Sequence, residues 1–292
     1  MYSFTIIPGL VTLETNVPSL KDFLLAPNLS FYPWTRKEQN HYSVQFTNSV
    51  THPQKHSHRI GNYTHAGNTM YYRRNLFKHV AFSFSYDPTV KTFYYNPLYK
   101  YHFVNIGDIL TVGRNLFHII ESDLAKKGYY IVLGAAVKKK TNTVVFLAPN
   151  GNGKTNFVNK AIQQGYTYIA ENFIIIHPDT SQLFGIAPVF SNKNRASNLE
   201  LAKNFKEHHV SVASKAEIKQ IYLLSQHSQK MKNSIIDNYT DTYTQYYKKN
   251  NLVRSLTYLQ LENTLLDTQY KKLRTFLYNR TKIISEHSQI SL

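Results

Sequence analysis

The chain has 292 residues, 42% of them hydrophobic, which is enough for the core of one large domain or two modest ones. It contains no cysteine, and this excludes disulfides, thiolate metal sites and cysteine nucleophiles. Thirty-four Lys and Arg against 17 Asp and Glu give a net charge of +17, a field that attracts nucleotides, acidic peptides or nucleic acid without selecting among them.

Membrane and export signals are not predicted. No apolar run reaches the ~20 residues that a transmembrane helix needs. Residues 1–8 lack the basic segment and apolar run that are typical of a signal peptide. We therefore expect a soluble, cytoplasmic protein that does not bind membranes.

The first 129 residues are rich in Tyr, Phe, His and Asn, and we treat them as a β-rich N-terminal region. Apolar and polar residues alternate at 42–46, 80–86 and 92–95, which predicts strands. Residues 106–125 carry apolar side chains at helical spacing, so they are predicted to form a helix that leads into the next region.

Four histidines, His52, His56, His58 and His65, lie in one short stretch of this region. Their spacing matches no zinc pattern, and no acidic residue stands among them. A polar loop, or contact with an anionic partner, is favoured over a metal site.

An apolar run at 144–147 is followed by a glycine-rich turn. The turn reads Ala148-Pro149-Asn150-Gly151-Asn152-Gly153-Lys154-Thr155. Small residues let the backbone bend so that its N–H groups face a phosphate, and the N-terminus of the next helix, predicted at 155–164, favours the same anion. Gly165 is placed to end that helix at the C′ position. A plain strand–turn–helix would leave the Gly-Lys-Thr ending unexplained.

The nucleotide contacts expected from this loop can be assigned residue by residue. Lys154 would contact the β and γ phosphates, and the Thr155 hydroxyl would hold Mg²⁺. The residues expected around the nucleotide are Asn150, Gly151, Asn152, Gly153, Lys154, Thr155 and Asn156. Ala148 replaces the first glycine of the usual loop, and its methyl fits if φ stays negative. The preceding run Lys138-Lys139-Lys140 is predicted to be the exposed turn of a hairpin.

A second β-rich run, 166–170, stops at Glu171-Asn172 before a third strand at 173–176. The chain then turns at 178–180 and returns through 182–186, which predicts a hairpin. An acid at the end of a strand beside a phosphate loop reaches Mg²⁺ or the attacking nucleophile, so Glu171 is the candidate for that position. The alternative is that Glu171 ends a strand in solvent.

This order of elements resembles the kinase domain of the HPr kinase/phosphorylase family and its HPr-kinase-like relatives over about residues 130–227. The residues that carry the resemblance are the loop 148–155, Gly165-Tyr166, Glu171-Asn172, 173–176, Pro178-Asp179 and Pro188, with 132–137 upstream and a late edge strand at 218–224. The resemblance implies an α/β fold with a P-loop core that uses ATP and Mg²⁺ to phosphorylate a serine hydroxyl.

By the same resemblance, Glu171 would be the catalytic base, and Thr155, Glu171 and Asn172 would hold the metal. Three positions depart from the family pattern. The paired aspartates are Glu171-Asn172, Gly134 stands near the place of an upstream histidine, and Ala148 replaces the first loop glycine. Glutamate keeps a carboxylate with one more methylene of reach, whereas Asn172 offers an oxygen without charge.

The polar segment 191–209 contains Arg195, which by its place in the family's order could neutralise charge on the transferred group. An ordinary surface arginine is the alternative. Beyond His227 the chain is predicted to be helical, and 231–267, which lacks Pro and Gly, favours a long helix or a helical pair.

The sequence thus predicts three regions, namely a β-rich part at 1–129, a kinase-like core at 130–230 and a helical tail at 231–292. The favoured function is ATP-dependent phosphoryl transfer to a serine of a small protein or a ribosomally made peptide. A non-catalytic nucleotide-binding protein or a basic interaction module, including one that binds nucleic acid, is the alternative. The sequence leaves open whether the chain forms an oligomer.

Overall fold

In the computed structural model, two mixed β-sheets and the helices that pack on them account for most of the described chain. The structure describes residues 1–17, 40–47, 50–51, 53, 58–77, 80–96, 112–148, 153–171, 173–185, 213–224, 234, 236–237, 240 and 263–284. These elements confirm the expected mixture of α and β structure.

The N-terminal sheet has the strand order β1-β2-β3-β8-β7-β6-β5-β4. Its strands are β1 (Tyr2–Ile7), β2 (Val11–Thr15), β3 (Asn40–Phe46), β4 (His58–Ile60), β5 (Tyr63–Ala66), β6 (Thr69–Phe77), β7 (Val80–Asp87) and β8 (Thr92–Tyr95). The β2–β3 and β3–β8 pairs are parallel and the others antiparallel. The three strands predicted from alternation, at 42–46, 80–86 and 92–95, are confirmed, and each of them places aromatic side chains in the core.

Helix α1 (Val112–Lys126) connects this sheet to the second one. The predicted helix at 106–125 is confirmed from residue 112 onward, and its first residues lie outside the described part. Leu116, Ile119 and Ile120 of α1 belong to the same hydrophobic cluster as the inner face of the N-terminal sheet. That cluster also includes Ile175 and Phe184 of the second sheet, so the two sheets share one core.

The second sheet has the order β14-β13-β12-β9-β10-β15-β16, with β11 paired to β9. Its strands are β9 (Tyr130–Lys139), β10 (Asn142–Leu147), β11 (Thr167–Ala170), β12 (Phe173–His177), β13 (Gln182–Gly185), β14 (Lys215–Glu217), β15 (Gln220–Leu224) and β16 (Thr281–Ile284). Only β10, β15 and β16 run parallel to one another among its described pairs. The predicted strands at 144–147, 166–170 and 173–176 and both predicted hairpins are confirmed, with Lys140 in the left-handed region (φ 54°) at the first turn.

Helices cover both faces of this sheet. Helix α2 (Lys154–Gln163) packs Phe157, Val158 and Ala161 on one face. Helix α3 (Asn263–Arg280) packs Tyr270, Leu273 and Leu277 on the other. No helix in the described ranges is long and apolar enough to cross a membrane.

Two expectations about the C-terminal part are wrong. The tail is not helical throughout, because residues 281–284 form β16 and pair with β15. The segment 218–224 is not an edge strand, because β15 lies between β10 and β16. Both differences have one cause: a strand late in the sequence pairs with a sheet built by residues far earlier.

Candidate functional site

The site is organised around Gly134, near the middle of β9. On one side Gly134 pairs with Leu147, the last residue of β10. On the other side β11 ends opposite Ala136 and β12 begins opposite Leu133, so Glu171 lies in the connection beside Gly134. The register of β9 therefore brings the start of the glycine-rich loop and Glu171 to the same level of the sheet.

Gly134 is itself a packing requirement. A methyl group there would lie 2.9 Å from both Ile174 Cδ1 and Leu147 Cδ2, and 3.1 Å from the carbonyl oxygen of Phe146. Side chains from the strands on both sides occupy that space, so Ile174 and Leu147 pack over β9 as they do because residue 134 has no side chain.

The loop enters from Ala148, which is fully buried, and ends at Gly153. Gly153 is the N-cap of α2 and has a φ of 73°, a conformation that favours glycine. A glycine has no side chain with which to cap the first turn of the helix, so the N-terminal end of α2 retains its capacity to bind an anion.

The structure confirms that Gly165 ends α2 at the C′ position, as the sequence predicted. Gly165 has a φ of 81°, and its N–H donates to the carbonyl of Ile162 (2.9 Å). The N–H of Tyr166 donates to the carbonyl of Ala161 (3.1 Å), which completes a Schellman motif. Lys139 Nζ also donates to the carbonyl of Gln164 (2.7 Å), so a cation lies at the negative end of the helix dipole.

Lys154, the first residue of α2, is 5% exposed. Its Nζ donates to the carbonyl oxygen of Ala148 at 2.8 Å, so the lysine reaches back across the loop. Burial lowers the pKa of Lys154 below its ordinary value, and the carboxylate of Glu171 opposes that shift. The loop thus holds a partly desolvated ammonium whose hydrogen bond a phosphate oxygen could replace.

Thr155 and Glu171 are in direct contact. The exposed Thr155 Oγ1 donates a short hydrogen bond to Glu171 Oε1, although the two residues are 16 apart in sequence. The Thr155 hydroxyl at the start of α2 and the Glu171 carboxylate in the β11–β12 connection therefore lie next to each other in front of the loop.

The donor atoms at this point suit Mg²⁺, which prefers oxygen ligands and uses one or two carboxylates together with substrate phosphates and water. Thr155 and Glu171 supply a hydroxyl and a carboxylate within contact of each other. Within the described ranges no group of three or more His, Asp or Glu side chains could hold a metal ion. A metal shared between the protein and a nucleotide is the arrangement that these residues fit.

Several other predicted residues cannot be placed in this geometry. Asn150, Gly151, Asn152, Asn172 and Arg195 lie outside the described residues. Asn156 is described and exposed on the first turn of α2.

Of the histidines, His58 and His65 pair across β4 and β5. His65 is buried, whereas His58 is exposed. Neither lies in a loop, as the sequence had suggested for this stretch. His52 and His56 lie outside the described residues.

Two features of the site were missed by reasoning from the sequence. The sequence showed Gly134 only as a departure from a family pattern, whereas the structure gives it a packing role between two strands. The Ala148 carbonyl, which accepts from Lys154, is a backbone group and leaves no mark in the sequence. A glycine inside a strongly apolar strand was the one available signal, because such a glycine often marks a close approach of neighbouring chains.

Comparison of the chain with protein-family models and with curated protein sequences finds no match.

Proposed function

We propose that this protein binds a nucleoside triphosphate, most simply ATP, at the loop 148–155 and transfers a phosphoryl group to a hydroxyl of a small protein or peptide. The observation that best supports the proposal is the contact between Thr155 and Glu171, with the buried Lys154 next to it. Resemblance to HPr-kinase-like proteins implies the same activity.

Lys154 and the N-terminus of α2 bind the phosphates of the nucleotide. Lys154 can exchange the carbonyl of Ala148 for a phosphate oxygen, so that its ammonium group donates to a charged acceptor instead of a neutral one. The N-terminus of α2, which begins at Gly153, adds backbone N–H groups and the positive end of the helix dipole. Together they fix the phosphates in front of Thr155 and Glu171.

The second role belongs to Glu171. A carboxylate at this position can accept the proton of an attacking hydroxyl, because a general base must lie within hydrogen-bond reach of the proton it takes. Thr155 and Glu171, with Asn172 by sequence, are the residues that would hold Mg²⁺, which supplies neutralisation of the phosphate charge when bound. The hydrogen bond from Thr155 keeps the carboxylate oriented toward the helix start.

A second candidate function is nucleotide binding without transfer. One observation favours it: Asn172 stands where the family pattern has a second aspartate, so the pair carries one charge rather than two. Phosphate binding by Lys154 and the start of α2 would survive this change, whereas acid–base chemistry would depend on Glu171 alone.

The two candidates are separated by single-turnover transfer of labelled γ-phosphate from ATP to a degenerate serine-centred peptide library. We expect Glu171→Gln to lower transfer by about 10²-fold or more while ATP still binds, since general-base contributions run at about 10²–10⁴. Glu14→Gln, at a glutamate of the N-terminal sheet, is the control. Transfer that is absent from both the wild type and Glu171→Gln while ATP binds would favour the binding function, whereas equal transfer by the two would assign the base to another residue.

A further inference from the structure

A positively charged surface lies at the end of the second sheet that is opposite to the loop 148–155. Strands β15 and β16 run parallel to β10, so their first residues are at the end of the sheet opposite to Ala148. Lys219 comes directly before β15, and Arg280, the last residue of α3, comes directly before β16. This surface is therefore separate from the site built around Lys154.

The solvent-facing side of α3 continues the same surface. Between residues 270 and 280, its exposed residues are cations and small polar side chains, and Tyr270, Leu273 and Leu277 are buried on its opposite side. We define the α3 surface as Lys219, Lys271, Lys272, Thr275, Asn279 and Arg280, all of them exposed.

Contacts between these residues and their neighbours tie them into one patch. Arg280 Nη1 donates to the carbonyl of Ile218 (3.3 Å), beside Lys219. Lys272 Nζ lies 3.6 Å from Asp179 Oδ2 in the turn that follows β12. Hydrogen bonding to Lys219, with a weaker contribution from Arg280, lowers the pKa of Glu217, so both cations lie near that carboxylate.

The patch has four cationic side chains and two carboxylates. Both carboxylates are in exposed ion pairs, since Asp179 and Glu217 are each 61% exposed. Such pairs contribute little free energy and are screened by salt, so their lysines can exchange a carboxylate for another anion at small cost. Among the described side chains no carboxylate forms an ion pair with Lys271 or Arg280, although Arg280 lies near Glu217.

The side chains also indicate the class of partner. The exposed large hydrophobic residues of the described chain are Met1, Tyr2, Val90 and Tyr94, and none of them belongs to the α3 surface. A protein partner would need an apolar centre in its interface, whereas nucleic-acid backbones are bound by Lys, Arg, Thr and Asn. The surface also lacks an exposed aromatic ring on which single-stranded bases could stack.

From this charge and this composition, we infer that the α3 surface binds the phosphate backbone of double-stranded nucleic acid. From Lys271 to Arg280 the helix rises about 14 Å, enough to reach several phosphates. Backbone contacts make the affinity depend on salt and not on sequence. With four contacts, the slope of log K against log salt concentration is about −3.6.

Fluorescence anisotropy with a labelled 20-base-pair DNA duplex tests the inference, with an RNA duplex of the same length as a second probe. The test variant carries Lys219→Gln, Lys271→Gln and Lys272→Gln, and retains Arg280 because of its contact with Ile218. We expect the slope of log K against log salt concentration to be smaller in magnitude, by about 2.7, for this variant than for the wild type. The control variant carries Arg59→Gln, Arg73→Gln and Lys160→Gln, which removes the same charge from exposed residues outside the α3 surface. Its salt slope should match that of the wild type.

Equal slopes for the test and control variants would overturn the inference, because they would show that only net charge matters. Tighter binding of a single strand than of the duplex, or displacement of the duplex by an equal concentration of poly-glutamate charges, would also overturn it. Lys154→Ala and saturating ATP with Mg²⁺ should both leave the duplex affinity unchanged. Loss of duplex binding in Lys154→Ala would instead assign the nucleic acid to the loop.

Discussion

The hydroxyl of Thr155 donates to the carboxylate of Glu171, and this bond joins the first turn of α2 to the connection between β11 and β12. Strand β9 makes the contact possible, because its Gly134 lies between the end of β10 and that connection. The candidate chemistry therefore depends on the pairing of three strands as much as on the loop itself.

Replacement of Lys154 by alanine should weaken binding of ATP with Mg²⁺ by about 10- to 100-fold. A hydrogen bond to a charged group contributes about 1.5–3 kcal/mol, and Lys154 is the lysine whose Nζ donates to the carbonyl of Ala148 at the start of the loop. Isothermal titration gives the affinity. Lys160→Ala, on the exposed side of the same helix, should bind as the wild type does; equal affinity in Lys154→Ala would contradict phosphate binding at the loop.

Replacement of Gly134 by alanine should destabilise the protein by about 1–3 kcal/mol and weaken nucleotide binding. The added methyl would overlap Ile174 and Leu147, and Leu147 holds the start of the loop. Chemical denaturation measures the free energy of unfolding, and titration calorimetry measures the affinity.

A second change tests whether overlap is the cause. Ile174→Val removes the Cδ1 atom that lies 2.9 Å from the added methyl, so it should restore part of the stability lost in Gly134→Ala. In the wild-type background, Ile174→Val should only destabilise, because it leaves a small cavity. Purely additive losses in the double variant would show that the two positions do not share this contact.

The N-terminal sheet is held to α1 by a buried polar cluster around Asp123. Tyr42 Oη donates to Asp123 Oδ2 at 2.5 Å, and Lys91 Nζ lies 3.1 Å from the same oxygen. Despite burial, these partners hold the pKa of Asp123 below its ordinary value. Lys127, on the turn that follows α1, donates to the Asn40 side chain and so joins the cluster to the start of β3.

Tyr42→Phe should therefore lower the free energy of unfolding by about 1.5–3 kcal/mol, the contribution of a hydrogen bond to a charged group. Tyr2→Phe, at a tyrosine that is 53% exposed, should change it by less than about 0.5 kcal/mol. Urea denaturation of both variants gives the comparison. Equal losses would mean that Asp123 does not depend on the Tyr42 hydroxyl.

Local sequence patterns predicted the helices and strands of the site correctly. They did not predict which strands pair with one another. An apolar run predicted β10, the glycine-rich turn and Gly165 predicted α2, and polar turn residues predicted the two hairpins, because each depends on residues that are close in sequence. The β-branched residues Thr281, Ile283 and Ile284 suit a strand, but they directly follow a helical pattern, and β16 forms by pairing with β15 more than fifty residues earlier. The same pairing places β15 inside the sheet.

For the candidate site, the sequence singled out Thr155 and Glu171 separately, each from its position beside a turn. The hydrogen bond between them depends on the register of β9 against β10, β11 and β12, which a single sequence does not reveal. The catalytic and metal-binding roles of Glu171 stay predictions.

The stability of the protein should fall between pH 6.5 and pH 4 partly because of His65. Burial, with the neighbouring His58, lowers the pKa of His65 to about 4. Above pH 6.5 this histidine is neutral in both the folded and the unfolded chain, so its contribution is constant there. Below that pH the unfolded chain takes up a proton that the folded chain does not, and the free energy of unfolding decreases until about pH 4.

The loss assigned to His65 should be about 1–3 kcal/mol, since one pKa unit corresponds to about 1.4 kcal/mol. Comparison of denaturation midpoints at pH 7 and pH 4.5 measures it, and His65→Gln should show a smaller decrease than the wild type. His58→Gln removes the neighbouring charge, so it should raise the pKa of His65, which the imidazole proton resonances report directly. Equal decreases in the wild type and His65→Gln would mean that other groups account for the acid sensitivity.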